Sequence, residues 1–263
     1  MKLVLINTLF IVLFCFCDSE IEQHNFNYDF SKPEMEIRLE KKLDEISGLT
    51  FVNENTIACI NDEKGNIYWI DLASENQFKY IDFKDEGDFE GIQKVGENYY
   101  VLKSNGDLYL VESNSKSTKF NLFEKGYEFE GLTFHEKRNS LLIACKIYDS
   151  DEKDDFLWVF EFDLESKRII KSPYLKIEKS IIHKNFRPSG IAMHPNGNLF
   201  IISGVSNRIA EFTKDLELLN VVKLPEFQFP QIEGICFSNN GTLYLSSERD
   251  FFDNGKLYSF KEI

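Results

Sequence analysis

The sequence predicts an all-β protein, a five-bladed β-propeller whose last blade is completed by an N-terminal strand. Three observations lead to this fold: a short phrase recurs five times, the same order of apolar runs follows each copy, and the two chain ends carry complementary parts of a blade. Aromatic residues in short alternating runs suit half-buried strands, and the 43% hydrophobic content over 263 residues is enough for a core.

The recurring phrase reads Ser or Glu, then Gly, then Leu or Ile. Its glycines are separated by 43, 40, 59 and 44 residues, and three of these intervals match the roughly 40–50 residues of a four-stranded blade. The long interval predicts polar insertions at 148–155 and 171–187, although a degenerate sixth blade would also account for it. The five copies are Ile46–Thr50, Phe89–Gln93, Phe129–Thr133, Pro188–Ala192 and Ile232–Cys236.

Each copy of the phrase is followed by two further apolar runs separated by turns, and a fourth run precedes the next copy. The third run often begins at a glycine, as at Gly65, Gly106 and Gly255. This order is a repeated β-meander. The last repeat stops after its third run, whereas Met35–Leu39 forms a fourth-type run before the first phrase. We therefore expect one propeller domain over 34–263, closed by pairing of the two ends.

Residues 1–20 read as an export signal, and 21–33 as a short tether. Leu3–Cys17 is a largely apolar run that is too short to span a membrane comfortably and is followed at once by acidic residues. A Cys at the end of such a run can be acylated in a bacterial lipoprotein, which makes Cys17, or alternatively Cys15, the candidate for lipidation. Ordinary cleavage near residue 19 and an uncleaved anchor remain alternatives. We expect an exported protein of the cell envelope, anchored to the plasma membrane or the outer membrane.

Composition narrows the classes of partner. The formal net charge of -14 disfavours nucleic-acid binding and favours cations. Beyond the export segment, Cys59, Cys145 and Cys236 each lie in an apolar run without a CxxC spacing, which favours small buried hydrophobes over a zinc site, with a disulfide left open.

Several segments of the sequence resemble those of a known protein family. The export segment, the first phrase within Glu45–Thr50, the run Asn61–Tyr68 and the later Phe-Glu-Gly phrases are similar to the SdiA-regulated, or YjiK-like, family of cell-envelope propellers. The resemblance covers essentially the whole mature chain. It implies a five-bladed propeller distantly similar to NHL-type and phytase-like propellers, with an associated calcium site and no firmly assigned reaction.

The phrases themselves predict a site at the propeller axis. The first strand of each blade runs beside the axis, so Glu90, Glu130 and Glu233 should form a ring with Ser47 and Ser189. Three converging carboxylates repel one another by on the order of a kcal/mol per pair and must be neutralised by protonation or by a cation. Oxygen ligands without His or Cys favour Ca²⁺. The alternative is a water-filled channel lined by solvated carboxylates.

A second layer of charges is expected where the second strands end, at Asp62, Lys103, Lys146 and Glu248. These residues would pair with the glutamates or form the rim of a ligand pocket, unless they are ordinary solvated charges. His135 and His194 fall in turns after first strands and are interpreted as turn residues away from the axis.

Two functions of different class follow. The first is a calcium-binding envelope propeller that binds a small molecule or a protein without catalysis. The second is a metal-dependent hydrolase of a phosphate ester or lactone, in which Ca²⁺ polarises the substrate and a ring carboxylate activates water. The sequence contains no GxSxG, HExxH or GxxxxGK signature, which favours the first. An enzyme that binds phosphate should gather cationic side chains at one mouth, and the candidates are Lys103, Lys146, Arg208 and Arg249.

Overall fold

The computed structural model describes residues 26–123, 126–148, 155–249 and 253–263. These residues form five antiparallel sheets, one for each copy of the glycine phrase. Aromatic and aliphatic residues favour the strands, and a strand such as Thr56–Asn61 is buried at every position because both faces of its sheet are packed. The predicted five-bladed β-propeller is confirmed.

The strands are numbered in chain order, and β1 (Met35–Arg38) precedes the first blade. Blades 1 and 2 consist of β2 (Ile46–Asn53), β3 (Thr56–Asn61), β4 (Lys64–Asp71) and β5 (Gln77–Glu86), then β6 (Phe89–Val95), β7 (Asn98–Lys103), β8 (Asp107–Val111) and β9 (Ser117–Asn121). Blade 3 consists of β10 (Glu128–His135), β11 (Ser140–Ile147), β12 (Phe156–Asp163), β13 (Arg168–Ile169) and β14 (Leu175–Glu178).

Blade 4 consists of β15 (Gly190–Met193), β16 (Leu199–Ser203), β17 (Arg208–Phe212) and β18 (Leu218–Lys223). Blade 5 consists of β19 (Ile232–Phe237), β20 (Leu243–Ser247) and β21 (Lys256–Phe260), with β1 beside β21. Single 3-10 turns occupy Lys41–Leu43, Glu136–Arg138 and Lys179–Ile181.

The first strands of the five blades form a closed ring around the axis. Each of β2, β6, β10, β15 and β19 packs against the first strands of both neighbouring blades. All five run in the same direction along the axis, so the propeller has two distinct faces. We call the face where these strands begin the glutamate face, and the face where they end the cavity face.

The core is divided among the blade interfaces. Five clusters of buried apolar side chains lie between adjacent blades, each drawing on two neighbouring sheets. Between blades 1 and 2, for example, Ala58 and Ile67 of blade 1 pack against Phe89 and Val101 of blade 2. All four side chains are fully buried. Packing of blade on blade therefore supplies most of the buried apolar area.

The long interval between the third and fourth phrases lies within one blade. The outer edge of blade 3 is split into two short strands that both pair with β12: β13 opposite its end and β14 opposite its start. The extra residues therefore lengthen the outer edge and the segment that leads into β15. The described residues contain no sixth sheet.

The segment before β1 differs from the predicted tether. Tyr28 and Phe30 are buried at 5% and 7% exposure, and Phe30 packs edge-on against Phe260 with 5.0 Å between ring centroids. Phe26 packs against Phe200 of blade 4. Alternate aromatic residues in this segment fill the seam between blades 4 and 5, so 26–33 belongs to the folded domain. Residues 1–25, which include the predicted export segment, lie outside the described residues.

The strand at the outer edge of blade 5 comes from the N-terminal side of the domain. β1 pairs antiparallel with β21, with Met35 opposite Ser259 and Arg38 opposite Lys256. Cys59, Cys145 and Cys236 are buried free thiols, which agrees with their interpretation as small hydrophobes. Within the described ranges, no helix has the length and apolar character needed to cross a membrane.

Candidate functional site: two mouths of the propeller

The predicted ring residues stand at irregular positions of the first strands. The pairing with the second strand shifts register between Phe89 and Gly91, between Phe129 and Leu132, and between Ile232 and Gly234. The residue inside each shift is Glu90, Glu130 or Glu233, and blade 1 has the same shift around Ser47. A β-bulge redirects the side chain of its extra residue. A bulge in blades 1, 2, 3 and 5 therefore aims one side chain of each phrase at the axis, whereas the strand pairing of blade 4 begins at Gly190, after Ser189.

The glycine of each phrase is required by the neighbouring blade. A Cβ on Gly48 would lie 2.7 Å from the backbone nitrogen of Ile92, and a Cβ on Gly91 would lie 2.9 Å from the Cβ of Leu132. The same relation continues around the axis, from Gly131 to Gly190, from Gly190 to the carbonyl of Glu233, and from Gly234 back to the carbonyl of Ser47. Five backbones thus touch in a closed cycle that has no room for side chains.

The charge of the glutamate ring is balanced partly by a lysine. Lys146 Nζ lies 2.5 Å from Glu130 Oε1, and the glutamate is only 5% exposed. Burial raises the pKa of Glu130 to about 7, although Lys146 acts in the opposite direction. Burial disfavours the charge on Lys146, yet the nearby Glu130, Glu233 and Glu90 together leave its pKa above the ordinary value. One glutamate of the ring therefore has its own ammonium partner.

The other two glutamates are neutralised differently. Burial, reinforced by the charges of Glu130 and Asp88, raises the pKa of Glu90 far above its ordinary value. Burial and the charge of Glu130 raise the pKa of Glu233 in the same way. Both raised pKa values favour the neutral, protonated carboxyl near neutral pH. Protonation together with Lys146 resolves the like-charge repulsion that the sequence predicts at this position.

Two of the four predicted rim residues are acids that share the environment of the ring. Burial and the charge of Asp62 raise the pKa of Glu248 to about 7, with a further contribution from Glu130. Burial and the charge of Glu45 raise the pKa of Asp62 to about 6. With Lys146, these residues extend the ring into an acidic mouth on the glutamate face.

The prediction that Lys103 lies on the rim with the other three residues is wrong. Lys103 pairs directly with Phe89, whereas Lys146 lies one position beyond Cys145, the partner of Phe129. A one-residue offset moves a side chain to the opposite face of a strand. Lys103 accordingly points away from the axis and bonds to Asp85 at 2.8 Å. The residue equivalent to Lys146 is Ser104, which donates a hydrogen bond to Asp88 at 2.6 Å.

The two ring serines are buried, at 3% and 5% exposure for Ser47 and Ser189. The hydroxyl of Ser189 donates to the carbonyl of Ile232 at 2.6 Å and accepts from the backbone N–H of Gly204 at 3.0 Å. Its hydrogen bonds tie blade 4 to blade 5. This hydroxyl is thus committed to holding blades together.

The ring in this arrangement leaves little space for a cation on the axis. The void beside Glu90 and Glu233 measures about 10 Å³, close to the size of one water, whereas Ca²⁺ takes about 6–8 oxygen ligands. No three His, Cys, Asp or Glu side chains among the described residues are placed to hold a metal together. The aliphatic residues that follow the phrase glycines close the axis at this level: Leu49, Ile92, Leu132, Ile191 and Ile235.

A much larger cavity opens at the other end of the first strands. It measures about 660 Å³, which is the size of a pocket for a drug-sized molecule. Every blade contributes a residue from its first strand, namely Thr50, Gln93, Thr133, Ala192 and Cys236. Aromatic and aliphatic side chains line the rest together with charged residues at the rim: Phe51, Phe134, Met193, Ile235, Phe237, Lys94, Glu136, Lys137, Lys214 and Asp215.

The sequence reasoning set aside two histidines that line this cavity. His135 is the last residue of β10, and its ring lies edge-on to Tyr174. Burial, followed by the charge of Arg138, lowers the pKa of His135. His194 is buried, accepts the backbone N–H of Asn196 at Nδ1, and packs edge-on against Phe237 with 4.8 Å between the rings. His194 lies in the turn after β15, as the sequence predicts, and His135 ends β10; both line the cavity, which the sequence did not predict.

Two threonines of the phrases also have a role that the sequence reasoning missed. The hydroxyl oxygen of Thr50 accepts the backbone N–H of Lys94 at 3.0 Å, and that of Thr133 accepts the backbone N–H of Met193 at 3.0 Å. Each bond links one blade to the next at the floor of the cavity. The signal was available, since Thr follows the glycine by two positions in both phrases.

The cationic side chains proposed for phosphate binding do not converge. Lys103 and Lys146 are paired with Asp85 and Glu130. Arg249 lies near Asp44 and Glu45, at 4.0 and 3.8 Å. Arg208 donates to the carbonyl of Ser206 at 2.7 Å. Each of the four is engaged at a different place.

A protein-family model matches most of the chain. The family model described as SdiA-regulated matches residues 25–260. This protein belongs to the SdiA-regulated family. No curated protein matches this SdiA-regulated chain in a sequence search.

Solved structures that resemble this SdiA-regulated protein share its fold at low identity. A luciferin-regenerating enzyme matches with a TM-score of 0.56 and 13% identity over 88% of this chain and 96% of the other. A PQQ-bound aldose sugar dehydrogenase from Streptomyces coelicolor matches with a TM-score of 0.56 and 9% identity, covering 88% and 97%. Virginiamycin B lyase from Staphylococcus aureus gives 0.51 and 16%, covering 87% and 99%. These similarities show the propeller fold alone.

Proposed function

We propose that this protein is an exported, membrane-anchored binding protein of the bacterial cell envelope that holds a small molecule in the cavity on the cavity face. The observation that carries the proposal is the convergence of all five first strands on one cavity of about 660 Å³. The apolar N-terminal run and the candidate lipidation at Cys17 support the location. Both lie outside the described residues.

The lining favours an amphipathic ligand. Phe51, Phe134 and Phe237 offer apolar surface, while Lys137 and Lys214 stand at the rim. A ligand with an apolar body and an anionic group would use both kinds of side chain. The chemical class that we propose is therefore a small amphiphile with at least one negative charge.

Calcium binding at the glutamate ring and metal-dependent hydrolysis stay predictions of the sequence. Lys146 forms an ion pair with Glu130, and a calcium ion that used Glu130 as a ligand would have to displace the Lys146 ammonium group. No part of the proposed ligand binding depends on a metal. Binding without catalysis is itself part of the proposal, supported by the dispersed cationic side chains.

The test uses 8-anilinonaphthalene-1-sulfonate, an anionic aromatic probe whose fluorescence rises in apolar surroundings. Asn239 is exposed and lines the cavity, so Asn239→Trp narrows its mouth without disturbing the core. We expect this variant to weaken probe binding about tenfold, which corresponds to about 1.4 kcal/mol. Fluorescence titration measures the effect.

The matched control is Glu54→Trp, since Glu54 is exposed in the β2–β3 turn of the same face and does not line the cavity. It should bind the probe as the wild type does. Equal affinity of Asn239→Trp and Glu54→Trp would place the probe elsewhere and reject the cavity as the ligand site.

A further inference from the structure

Three neighbouring loops of blade 4 on the glutamate face carry exposed apolar side chains. Phe227 is 100% exposed, Val205 63% and Ile181 42%. They lie in the segments 179–187, 203–208 and 223–230, which we call the blade 4 patch. The ends of β14, β16 and β18 lead into these segments, which places all three on the glutamate face.

Hydrogen bonds hold the three segments side by side. The backbone N–H of Arg187 donates to Ser203 Oγ at 3.1 Å. Asn207 donates from Nδ2 to the carbonyl of Leu224 at 3.2 Å and accepts the N–H of Leu224 at 2.8 Å. The apolar side chains therefore protrude from one continuous, supported surface.

The patch has the opposite charge to the protein as a whole. Its three segments contain one acidic residue, Glu226, which pairs with Lys223 at 3.3 Å. Four basic residues are at least partly exposed, namely Lys184, Arg187, Arg208 and Lys223, and a fifth, Lys179, is buried. The whole chain has a net charge of -14. Burial, followed by the charges of Arg208 and Lys184, lowers the pKa of His183, which is consistent with a positive local potential.

Exposed apolar side chains surrounded by basic residues are the chemistry that recognises an anionic lipid surface. The apolar groups enter the interfacial region, and each Lys or Arg near the surface adds an electrostatic attraction. A fully exposed Phe otherwise gains nothing from its position. An acidic protein partner would account for the basic residues, but it would not account for protruding apolar side chains on three separate loops.

The chain that precedes the described residues can reach this surface. Phe26 packs on Phe200 near the start of β16, at the cavity-face end of the blade that carries the patch. The nine residues from Cys17 to Phe26 span at most about 30 Å, compared with about 17 Å for the five-residue strand β16. An anchor near Cys17 therefore allows the glutamate face of blade 4 to approach a membrane.

We propose that the blade 4 patch docks onto an anionic lipid surface. This inference extends the membrane location of the proposed function and is independent of the ligand in the cavity. The N-terminal anchor and the blade 4 patch would together attach the protein to the membrane at two points.

The experiment uses the full chain mixed with vesicles of phosphatidylcholine, with or without phosphatidylglycerol, whose acyl chains are brominated to quench tryptophan. Phe227→Trp places a reporter at the patch. Phe78→Trp is the matched control, since Phe78 is 45% exposed on the outer strand of blade 1. We expect additional quenching of Phe227→Trp in vesicles with phosphatidylglycerol and none for Phe78→Trp.

Charge reversal tests the electrostatic part. Adding Lys184→Glu and Lys223→Glu to Phe227→Trp should abolish the additional quenching, since both lysines are exposed and lie outside the core. Equal quenching of Phe227→Trp and Phe78→Trp in vesicles that the protein binds would overturn the patch and leave the anchor standing. Failure of the chain to float with any vesicle would overturn both the patch and the proposed membrane location.

Discussion

At the scale of single residues, the main feature is a set of buried or half-buried carboxyls whose pKa values are raised in the folded protein. Glu90 and Glu233 have pKa values raised by burial and by neighbouring acids. Glu130 and Glu248 follow with pKa values of about 7. In the unfolded chain a glutamate ionises near pH 4.3. Through these carboxyls the native state binds more protons than the unfolded state between about pH 5 and 8, while the lowered pKa values of His135 and His183 offset part of the difference at the acidic end of this range.

This difference sets the pH dependence of stability. When the native state binds more protons, the free energy of unfolding falls as pH rises, by at most about 1.4 kcal/mol per pH unit for each such group. Acids with lowered pKa values, such as Asp107, act only at lower pH. We expect Glu90→Gln, which carries a permanently neutral group, to resemble the wild type at pH 5 and to be more stable at pH 8, as measured by urea denaturation.

Glu54→Gln on the exposed β2–β3 turn should follow the wild-type curve and serves as the control. If the free energy of unfolding of Glu90→Gln changed from pH 5 to 8 in parallel with that of the wild type, Glu90 would not be protonated in the native state. The same proteins, with Glu130→Gln and Glu233→Gln, test calcium binding by calorimetry. Equal binding by wild type and variants, or no binding at all, would reject a calcium site at the ring.

At the scale of single elements, the first strands of blades 1, 2, 3 and 5 combine a bulge with a backbone contact. Gly91 has no space for a Cβ because the Cβ and backbone N of Leu132 lie within 3.0 Å of that position. The substitution Gly91→Ala must push two blades apart at the axis. We expect it to lower the free energy of unfolding by about 2–3 kcal/mol, measured by chemical denaturation.

The control for this prediction is a glycine without neighbours. Gly96 lies in the β6–β7 turn with φ of +58, and nothing approaches the position of a Cβ within 4 Å. Gly96→Asn should change stability little, because Asn tolerates the left-handed conformation. If Gly91→Ala were as mild as Gly96→Asn, the contact between first strands would contribute little to the propeller.

The elements also show which parts of the site could be predicted from sequence. Repetition of the glutamate at one blade position was sufficient to place Glu90, Glu130 and Glu233 together. Lys103 could not be placed, because the register between β6 and β7 decides which face a side chain takes, and that register depends on a bulge that spacing alone does not define. The partner of Glu130 was within the predicted rim, but the direct ion pair required the folded strands.

At the scale of the whole molecule, the number of blades could be predicted from the repeat, whereas the cavity could not. The cavity arises where five strands end together, and its walls come from turns whose sequences differ between blades. His135 and His194 are therefore conspicuous only after the strands are assembled. The packed segment 26–33 was missed for a similar reason, since its aromatic residues acquire partners only at the seam between blades 4 and 5.

That seam gives a prediction for the entire fold. Phe30 contacts Phe260 and Phe229, which places it between the N-terminal segment of the domain and its last strand. Phe30→Ala should lower the free energy of unfolding by about 3 kcal/mol, the lower end for removing a buried Phe ring. Denaturation by urea would measure the change. Phe78→Ala at an exposed position should stay within about 0.5 kcal/mol, and equal effects of the two would mean that 26–33 behaves as a tether.

The meeting of the two ends of the domain matters for anyone who handles the protein. The backbone N–H of Ile263 donates to the carbonyl of Asn27 at 2.8 Å, so any fusion tag joined after Ile263 would emerge beside the segment that leads to the predicted anchor. A reporter placed there would crowd that segment and the neighbouring turn at Gly241, to which Tyr28 is bonded. The same proximity makes the chain suited to circular permutation, with a short linker from residue 263 to residue 26 and new ends in an exposed turn such as the one at Glu54.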